Sequence, residues 1–250
     1  MHRFYVPDID ATDRSITLEG PVARQLKTVL RVEASEHVRL FDGSGAEWEV
    51  EVEHVGKTSI ETTLISAVKS VPEPSVGVTM LLGLARPERI ELAIQKCTEL
   101  GAVRVIPVTS ERVQGGNTGT PSPKRLERWQ RIVVEAAEQS GRAIVPDVEQ
   151  PMPVMEAVRS LIADQPLLCM WEEIANESES LSSSLKAISR ANSALAALIG
   201  PPGGFSERET TEIREAGARL VTLGSRVLRS ETAAIAVMSA ILYETGDLGG

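Results

Sequence analysis

Between Arg3 and about Ser70 the chain alternates apolar and polar residues in short runs: Ser15 to Leu18, Val38 to Phe41, Glu47 to Val55 and Ser59 to Ile65. A period of two with many β-branched side chains predicts half-buried strands. Asp42-Gly43-Ser44-Gly45, between the second and third runs, has the chemistry of a hairpin turn. A small β-barrel is the economical way to close strands this short. One stretch breaks the alternation: Pro21 to Val32 has helical spacing, with Leu26, Val29 and Leu30 as its apolar side.

Val71-Pro72-Glu73-Pro74-Ser75 is a stiff, polar linker by its prolines. It divides the sequence into residues 1–71 and 72–250. Beyond it the period changes. Buried-strand runs at Val78 to Leu84, Val103 to Val108, Pro166 to Met170, Ala194 to Ile199 and Arg219 to Leu223 alternate with helical stretches, which predicts an α/β domain. Pro87 suits a first helical turn, and Ile90, Ala93, Ile94, Cys97 and Leu100 mark the apolar face behind it. Lys124 to Ser140 predicts a helix with Leu126, Trp129, Val133 and Ala136 inward, and Val154 to Ala163 another. Gln114 to Pro123 is rich in Gly, Thr, Ser and Pro, a mobile loop that either closes over a substrate or is simply disordered. Ser178 to Ser193 is polar and Ser-rich, and is expected to be a variable connection. The last helix, Glu231 to Tyr243, is apolar on nearly every side, so its own domain or a second subunit must cover it.

Composition narrows the class. With 250 residues, 42% hydrophobic and 24% charged, the chain can bury one large core or two modest ones. Charges interrupt every apolar run before it reaches membrane-spanning length, and the N-terminus lacks the apolar core of a signal peptide, so a cytoplasmic location is expected. Cys97 and Cys169 sit in apolar patterns and predict two buried, reduced thiols. His2, His37 and His54 have no ligand spacing, which argues against zinc and against Ser-His chemistry. The formal charge of -9 argues against a broadly basic coat, so any RNA contact must be a local patch. Arg24, Lys27 and Arg31, at helical spacing with no acidic residue between Pro21 and Val32, form such a stripe. It is either a solvated face or a contact surface.

Candidate chemistry concentrates near the C-terminus. Leu198-Ile199-Gly200-Pro201-Pro202-Gly203-Gly204-Phe205 leads from a strand into Ser206-Glu207-Arg208-Glu209, whose spacing is that of a capping box. It is therefore a strand-to-helix turn, stiffened by its prolines and left with bare backbone by its glycines. Leu223-Gly224-Ser225-Arg226-Val227-Leu228-Arg229-Ser230-Glu231-Thr232-Ala233-Ala234 repeats the arrangement after the next strand. Two such loops suggest one shared site at the strand C-terminal ends.

This pair of motifs, in this order and separation, closely resembles the signatures of the SPOUT methyltransferases, specifically the RsmE-type 16S ribosomal RNA (uridine-1498-N3)-methyltransferases. There, a G-P-x-G-G loop and an L-G-x-R-V-L-R-x-E-T-A loop enclose S-adenosylmethionine. The resemblance implies a C-terminal SPOUT α/β domain with a trefoil knot, a PUA-like β-barrel before it, and a homodimer acting on 16S rRNA in the small ribosomal subunit. It implies cofactor contacts from Leu198, Ile199, Gly200, Pro201, Gly203 and Gly204 on one side, and from Leu223, Gly224, Ser225, Val227, Leu228, Arg229, Thr232 and Ala233 on the other. Transfer to uracil N3 calls for a base and a positive group, for which Arg229 and Glu231 come first and Arg86 next. For the RNA it implies Arg24, Lys27, Arg31, Arg112 and Arg142. Each has a plainer reading. Arg86 could be a helix-flanking charge and Arg142 a partner of a helix C-terminus. Glu231 could serve a helix N-terminus, and Arg226 and Arg229 a phosphate or an interface.

Other matches are the K-x-x-E-L-G ending at Lys96, Glu99, Leu100 and Gly101, the segment around Gln139, and H-x-x-x-V-L-R, where Gln25 replaces His ahead of Val29, Leu30 and Arg31. Pro202 stands where the family carries Glu, removing a carboxylate and one N–H. That departure keeps open a non-catalytic RNA-binding factor of the same fold. A doubly wound nucleotide-binding enzyme is disfavoured, since no G-x-G-x-x-G follows an early strand and no Walker lysine follows Gly204.

Overall fold

In the computed structural model, which describes residues 1–112, 122–171, 179–188 and 193–249, backbone contacts divide the chain into two units. One comprises Met1–Glu73 with Val134–Val145, the other Pro74–Val133 with Pro146–Gly250. The segment 134–145, which the linker position would assign to the second domain, groups with the first. Arg3 donates to the carbonyls of Ala137 and Glu138, the Tyr5 N–H donates to Glu138 Oε1 at 2.9 Å, and Phe41, Ala137 and Ala143 share a small buried cluster.

The first unit holds β1 (Arg3–Tyr5), β2 (Ser15–Glu19), α1 (Gly20–Arg24), β3 (His37–Phe41), β4 (Glu47–Val55) and β5 (Ser59–Ala67). The sheet order is β1-β3-β4-β5-β2. β3 and β4 form the expected hairpin, with Phe41 opposite Glu47 and Val38 opposite Val50. The alternation does what a period of two requires: Val38, Leu40, Val50, Val52, Ile16, Leu18 and Ile60 face one core. Among the described residues β1 and β2 are not paired, so the expected barrel is not closed by hydrogen bonds. Even so, Phe4 and Leu18 belong to the same buried cluster. β1 is too short for its alternation to show in the sequence.

The helical stretch departs from expectation in its winding. After α1 it continues as a π-helix, Gln25–Leu30, ended by Arg31 in the left-handed region with its N–H on the Leu26 carbonyl. A π turn rotates each residue by less than an α turn, so a three-residue spacing falls short of one revolution. Leu26 is buried and Leu30 half-buried, while Val29, expected beside them, is 70% exposed.

The second unit carries β6 (Gly77–Gly83), α2 (Pro87–Glu99), β7 (Ala102–Thr109), the first part of α3 (Pro123–Ser140), β8 (Asp147–Val148), β9 (Met152–Pro153) and α4 (Val154–Leu161). After these come β10 (Leu167–Met170), β11 (Glu179–Ser180), α5 (Leu181–Ile188), β12 (Ala194–Ile199), α6 (Glu207–Glu215), β13 (Arg219–Thr222) and α7 (Ser230–Thr245). The sheet order is β11-β13-β10-β12-β6-β7-β8, with β9 beside β7, and every pairing is parallel. A parallel sheet is covered on both faces, which is why β6 and β12 are continuous apolar runs. The Ser-rich stretch expected as a connection contains α5, whose Ser184, Leu185 and Ile188 are buried. Ser184 donates to Glu179, so a serine fills an inward position that composition assigns to a loop. The predicted loop lies outside the described residues from Gln114 to residue 121, and its last residue, Pro123, already begins α3.

Candidate active site

Parallel strands align their carboxyl ends, and the candidate residues gather at that edge of the second unit. β12 ends at Ile199, and the chain turns through Gly200 to Phe205, closed by the Gly204 N–H on the Pro201 carbonyl at 2.8 Å. Gly204 has φ +66, open to glycine at little cost. Ser206 and Glu209 form the full capping box at the start of α6. Glu209 also accepts from the Glu111 N–H at 2.8 Å, and Glu111 accepts from Ser206 Oγ at 2.6 Å and pairs with Arg208. These bonds fasten the segment after β7 to the turn and hold the Glu111 carboxyl below its usual range.

Two glycines seat the turn. A Cβ on Gly83, at the end of β6, would lie 2.3 Å from Pro201 N and 2.6 Å from Gly200 C, so only glycine lets the turn lie on that strand. A Cβ on Gly203 would lie 2.6 Å from the Arg112 carbonyl. Gly203 is thus needed for packing on the main chain of Arg112, and does not line the cavity.

The second loop leaves β13 at Thr222, whose Oγ1 accepts from the Gly224 N–H at 3.1 Å. Gly224 has φ +107, and a Cβ there would meet no atom within 4 Å. Leu223 to Arg229 then runs without regular structure into α7, whose N-cap residue, Arg229, gives no side-chain cap. β10 lies between β12 and β13, and Trp171 after it donates to the Val221 carbonyl at 2.9 Å.

One partly open cavity of about 220 Å³ joins the two loops. Its main-chain floor is Gly200, Pro201, Gly204 and Gly224, and its apolar wall is Ile199, Phe205, Leu223, Val227 and Leu228. Arg89, Arg226 and Arg229 reach it, and among the described residues no acidic side chain lines it. In a protein of formal charge -9 this is a local concentration of positive charge, reinforced by the start of α7 at Ser230.

Of the expected cofactor contacts, Ile199, Gly200, Pro201, Gly204, Leu223, Gly224, Val227, Leu228, Arg229 and Ala233 line this cavity. Leu198, Gly203, Ser225 and Thr232 do not. Leu198 is fully buried in the core, because successive strand side chains point to opposite faces, and Thr232 faces out from α7. Glu231 does not line it either. It is 8% exposed, with Arg89 Nε 3.9 Å from its Oε1 and the Ser230 hydroxyl at 3.2 Å. Arg86 is exposed at the start of α2 and outside the cavity.

The RNA candidates separate as well. Arg24 and Arg31 are exposed on the first unit, while Lys27 donates to the carbonyls of Gly56 and Lys57, so its ammonium is tied to the β4–β5 turn. Arg112 is exposed on the second unit. Arg142, expected at the RNA, is 5% exposed and holds the half-buried Glu73 through contacts of 2.5 and 3.0 Å, so its guanidinium is engaged inside the first unit. Arg89, Met170, Phe205, Thr222 and Ser230 line the cavity and were missed; Trp171 also lines it, in the segment after β10 that the resemblance sets against the cofactor. Met170 could have been found once β10 was placed at the shared edge; Arg89 gave no signal beyond its place in a first helical turn.

Cys97 and Cys169 are buried thiols, each pushed up to about 12 by loss of solvent. Among the described residues no cluster of three His, Cys, Asp or Glu side chains could hold a metal, and no helix is long and apolar enough to cross a membrane.

Comparison with known proteins agrees with this geometry. Residues 72–242 match the RNA methyltransferase domain model, and residues 18–65 the RNA methyltransferase PUA domain model. Ribosomal RNA small subunit methyltransferase E of Synechocystis sp. is 31% identical over 96% of this chain and 78% of its own length. That of Mycobacterium tuberculosis is 31% identical over 95% and 90%. The chain belongs to the ribosomal RNA small subunit methyltransferase E family. The crystal structure of a family member from Neisseria gonorrhoeae bound to S-adenosyl methionine has a TM-score of 0.87 and 32% identity, covering 97% of both chains. Membership in this family sets aside the doubly wound nucleotide-binding reading, and identifies the N-terminal sheet as a PUA domain.

Proposed function

We propose that this chain is an S-adenosylmethionine-dependent methyltransferase of 16S ribosomal RNA in the small subunit, acting on N3 of a uridine of the 1498 type. The observation that carries the proposal is the single cavity between the Gly200–Phe205 and Leu223–Arg229 loops. A folded sulfonium donor needs main chain it can lie against and apolar walls. Both are present, and the open space over Gly224 is where a Cβ would otherwise stand.

Gly200, Pro201, Gly204, Leu223, Gly224, Val227, Leu228 and Ala233 would hold the cofactor. Bound there, it supplies a methyl group on sulfur whose departure as a neutral thioether needs no acid. The chain's own work is to orient and to exclude water. Ile199, Phe205 and Leu228 keep the inner wall dry, and the stiff Gly200–Gly204 turn fixes position. Arg226 and Arg229, both exposed at the cavity rim, offer charge-assisted hydrogen bonds to the RNA. Uracil N3 is hidden in a paired base, so the target must be single-stranded or flipped out. Arg24, Arg31 and Arg112 are exposed and free to serve the same RNA electrostatically.

Two further features belong to this reading. β12 lies between β10 and β6, and the chain leaving β13 must cross the end of β10 for α7 to pack on α2, β6 and β12. That crossing supports the trefoil knot. On α7, Thr232 and Tyr243 are exposed and Ile235, Ala236 and Ser239 half-buried, at spacings that share one face. A second copy of the chain, in a homodimer, would cover it.

The test is methyl transfer to small ribosomal subunits lacking the modification, read by mass mapping of the rRNA. Methylation at uracil N3 is expected. Binding of S-adenosylmethionine with no transfer would favour the non-catalytic reading that Pro202 raises, since Pro202 lines the cavity where a carboxylate would otherwise stand.

A further inference from the structure

Arg89 is placed against the ordinary electrostatics of helices. It lies in the first turn of α2, where the peptide dipoles disfavour a cation, and its guanidinium also reaches the start of α7, a second positive end. Arg226 and Arg229 line the same cavity. Among the described residues, Glu231, at 3.9 Å and nearly buried, is the carboxylate paired with Arg89. A residue that costs stability where it stands, on the rigid wall of a cavity, marks function.

Arg89 also differs from the other two arginines in where it stands. Arg226 and Arg229 are exposed on an irregular loop, whereas Arg89 is half-buried on a helix with the Glu231 carboxylate 3.9 Å away. A donor fixed before the reaction stabilises developing charge without reorganising. Resting on the methyltransferase reading above, we infer that Arg89 is a catalytic residue that stabilises the deprotonated uracil, and that Glu231 is the positioning residue that aligns it. The N3 proton leaves to water through the open side of the cavity. The N3 electron pair then forms the N–CH3 bond as the methyl–sulfur bond breaks, its electrons remaining on sulfur. Negative charge before transfer lies on N3 and the two flanking carbonyl oxygens, which a guanidinium meets with N–H donors.

The experiment compares the full-length parent, Arg89→Gln, Arg89→Lys and Glu231→Gln in single-turnover methyl transfer to unmodified small subunits, across pH 6 to 10, with S-adenosylmethionine affinity measured separately. Arg89→Gln is expected to lower the rate about 100-fold at neutral pH, the scale of removing one preorganised donor. Its cofactor affinity and melting temperature should be maintained, and its rate should recover as pH rises, because external base then does what the cation did. Arg89→Lys should retain an intermediate rate, and Glu231→Gln should show a smaller loss with the same pH trend. A rate for Arg89→Gln within about threefold of the parent overturns the inference, and so does a loss that is equal at all pH values or is matched by weaker cofactor binding. A parent that binds S-adenosylmethionine but transfers no methyl overturns the methyltransferase reading itself, a result separate from any behaviour of the variants.

Discussion

Gly83→Ala tests how the first loop is held. The added Cβ would stand 2.3 Å from Pro201 N, 2.6 Å from Gly200 C and 2.8 Å from Pro201 Cα. Carbon contacts are comfortable at about 3.5–4.0 Å, so the overlap exceeds about 1 Å at the closest atom. All three neighbours are main chain, and none can swing aside as a flexible side chain would. Relief therefore requires the Gly200–Pro201 turn to lift off β6. Overpacking of this kind costs about 1–3 kcal/mol, and rigid neighbours place this site near the upper figure. For a chain of this size, about 3 kcal/mol lowers the melting temperature by about 6–12 °C. Gly83 does not line the cavity between the two loops, so any loss of ligand reports movement of the turn. We expect S-adenosylmethionine affinity to fall at least about tenfold, or about 1.4 kcal/mol. Scanning calorimetry and isothermal titration on the same preparation measure both. A melting shift below about 1 °C with unchanged affinity would show that the turn does not depend on β6.

Other consequences follow from the same packing. Leu198→Ala should destabilise by about 2–5 kcal/mol because it hollows the core, while Leu228→Ala, at the cavity wall, should weaken cofactor binding with little change in melting. Denaturant titrations paired with binding isotherms distinguish them, and the reverse pattern would return Leu198 to the site. Glu73→Ala should cost about 3 kcal/mol by removing the carboxylate that faces the buried Arg142 guanidinium, measurable as a lower urea midpoint; an unchanged midpoint would refute the pairing's importance. Cys97 and Cys169, with thiols pushed up to about 12, should resist a disulfide reagent at pH 8 in the folded protein and react once guanidinium unfolds it. Burial favours the neutral thiol, so labelling should stay slow as pH rises until it approaches that value.

What the sequence by itself determined is whatever depends on neighbours along the chain. The β3–β4 hairpin, the strand at β12, the capping box at Ser206 and the start of α7 all follow from local periodicity and turn chemistry, and each lies where those signals place it. The two loops were visible for the same reason, since glycines and prolines after an apolar run declare a strand end. Tertiary structure decided which side chains of those loops face the cavity. Leu198 and Ile199 are adjacent, yet only Ile199 reaches it, because the pleat sends them to opposite faces of the sheet. Gly203 serves the main chain of Arg112, and Gly83, far from both motifs, makes the turn possible. Arg89 joins the site because α2 lies against α7, a relation between segments more than a hundred residues apart that no local pattern encodes. The winding of Gln25–Leu30 also escaped, since a π turn differs from an α turn only in which carbonyl each N–H selects. Propensities are set by each residue and its neighbours; the facing of a side chain is set by what packs above it.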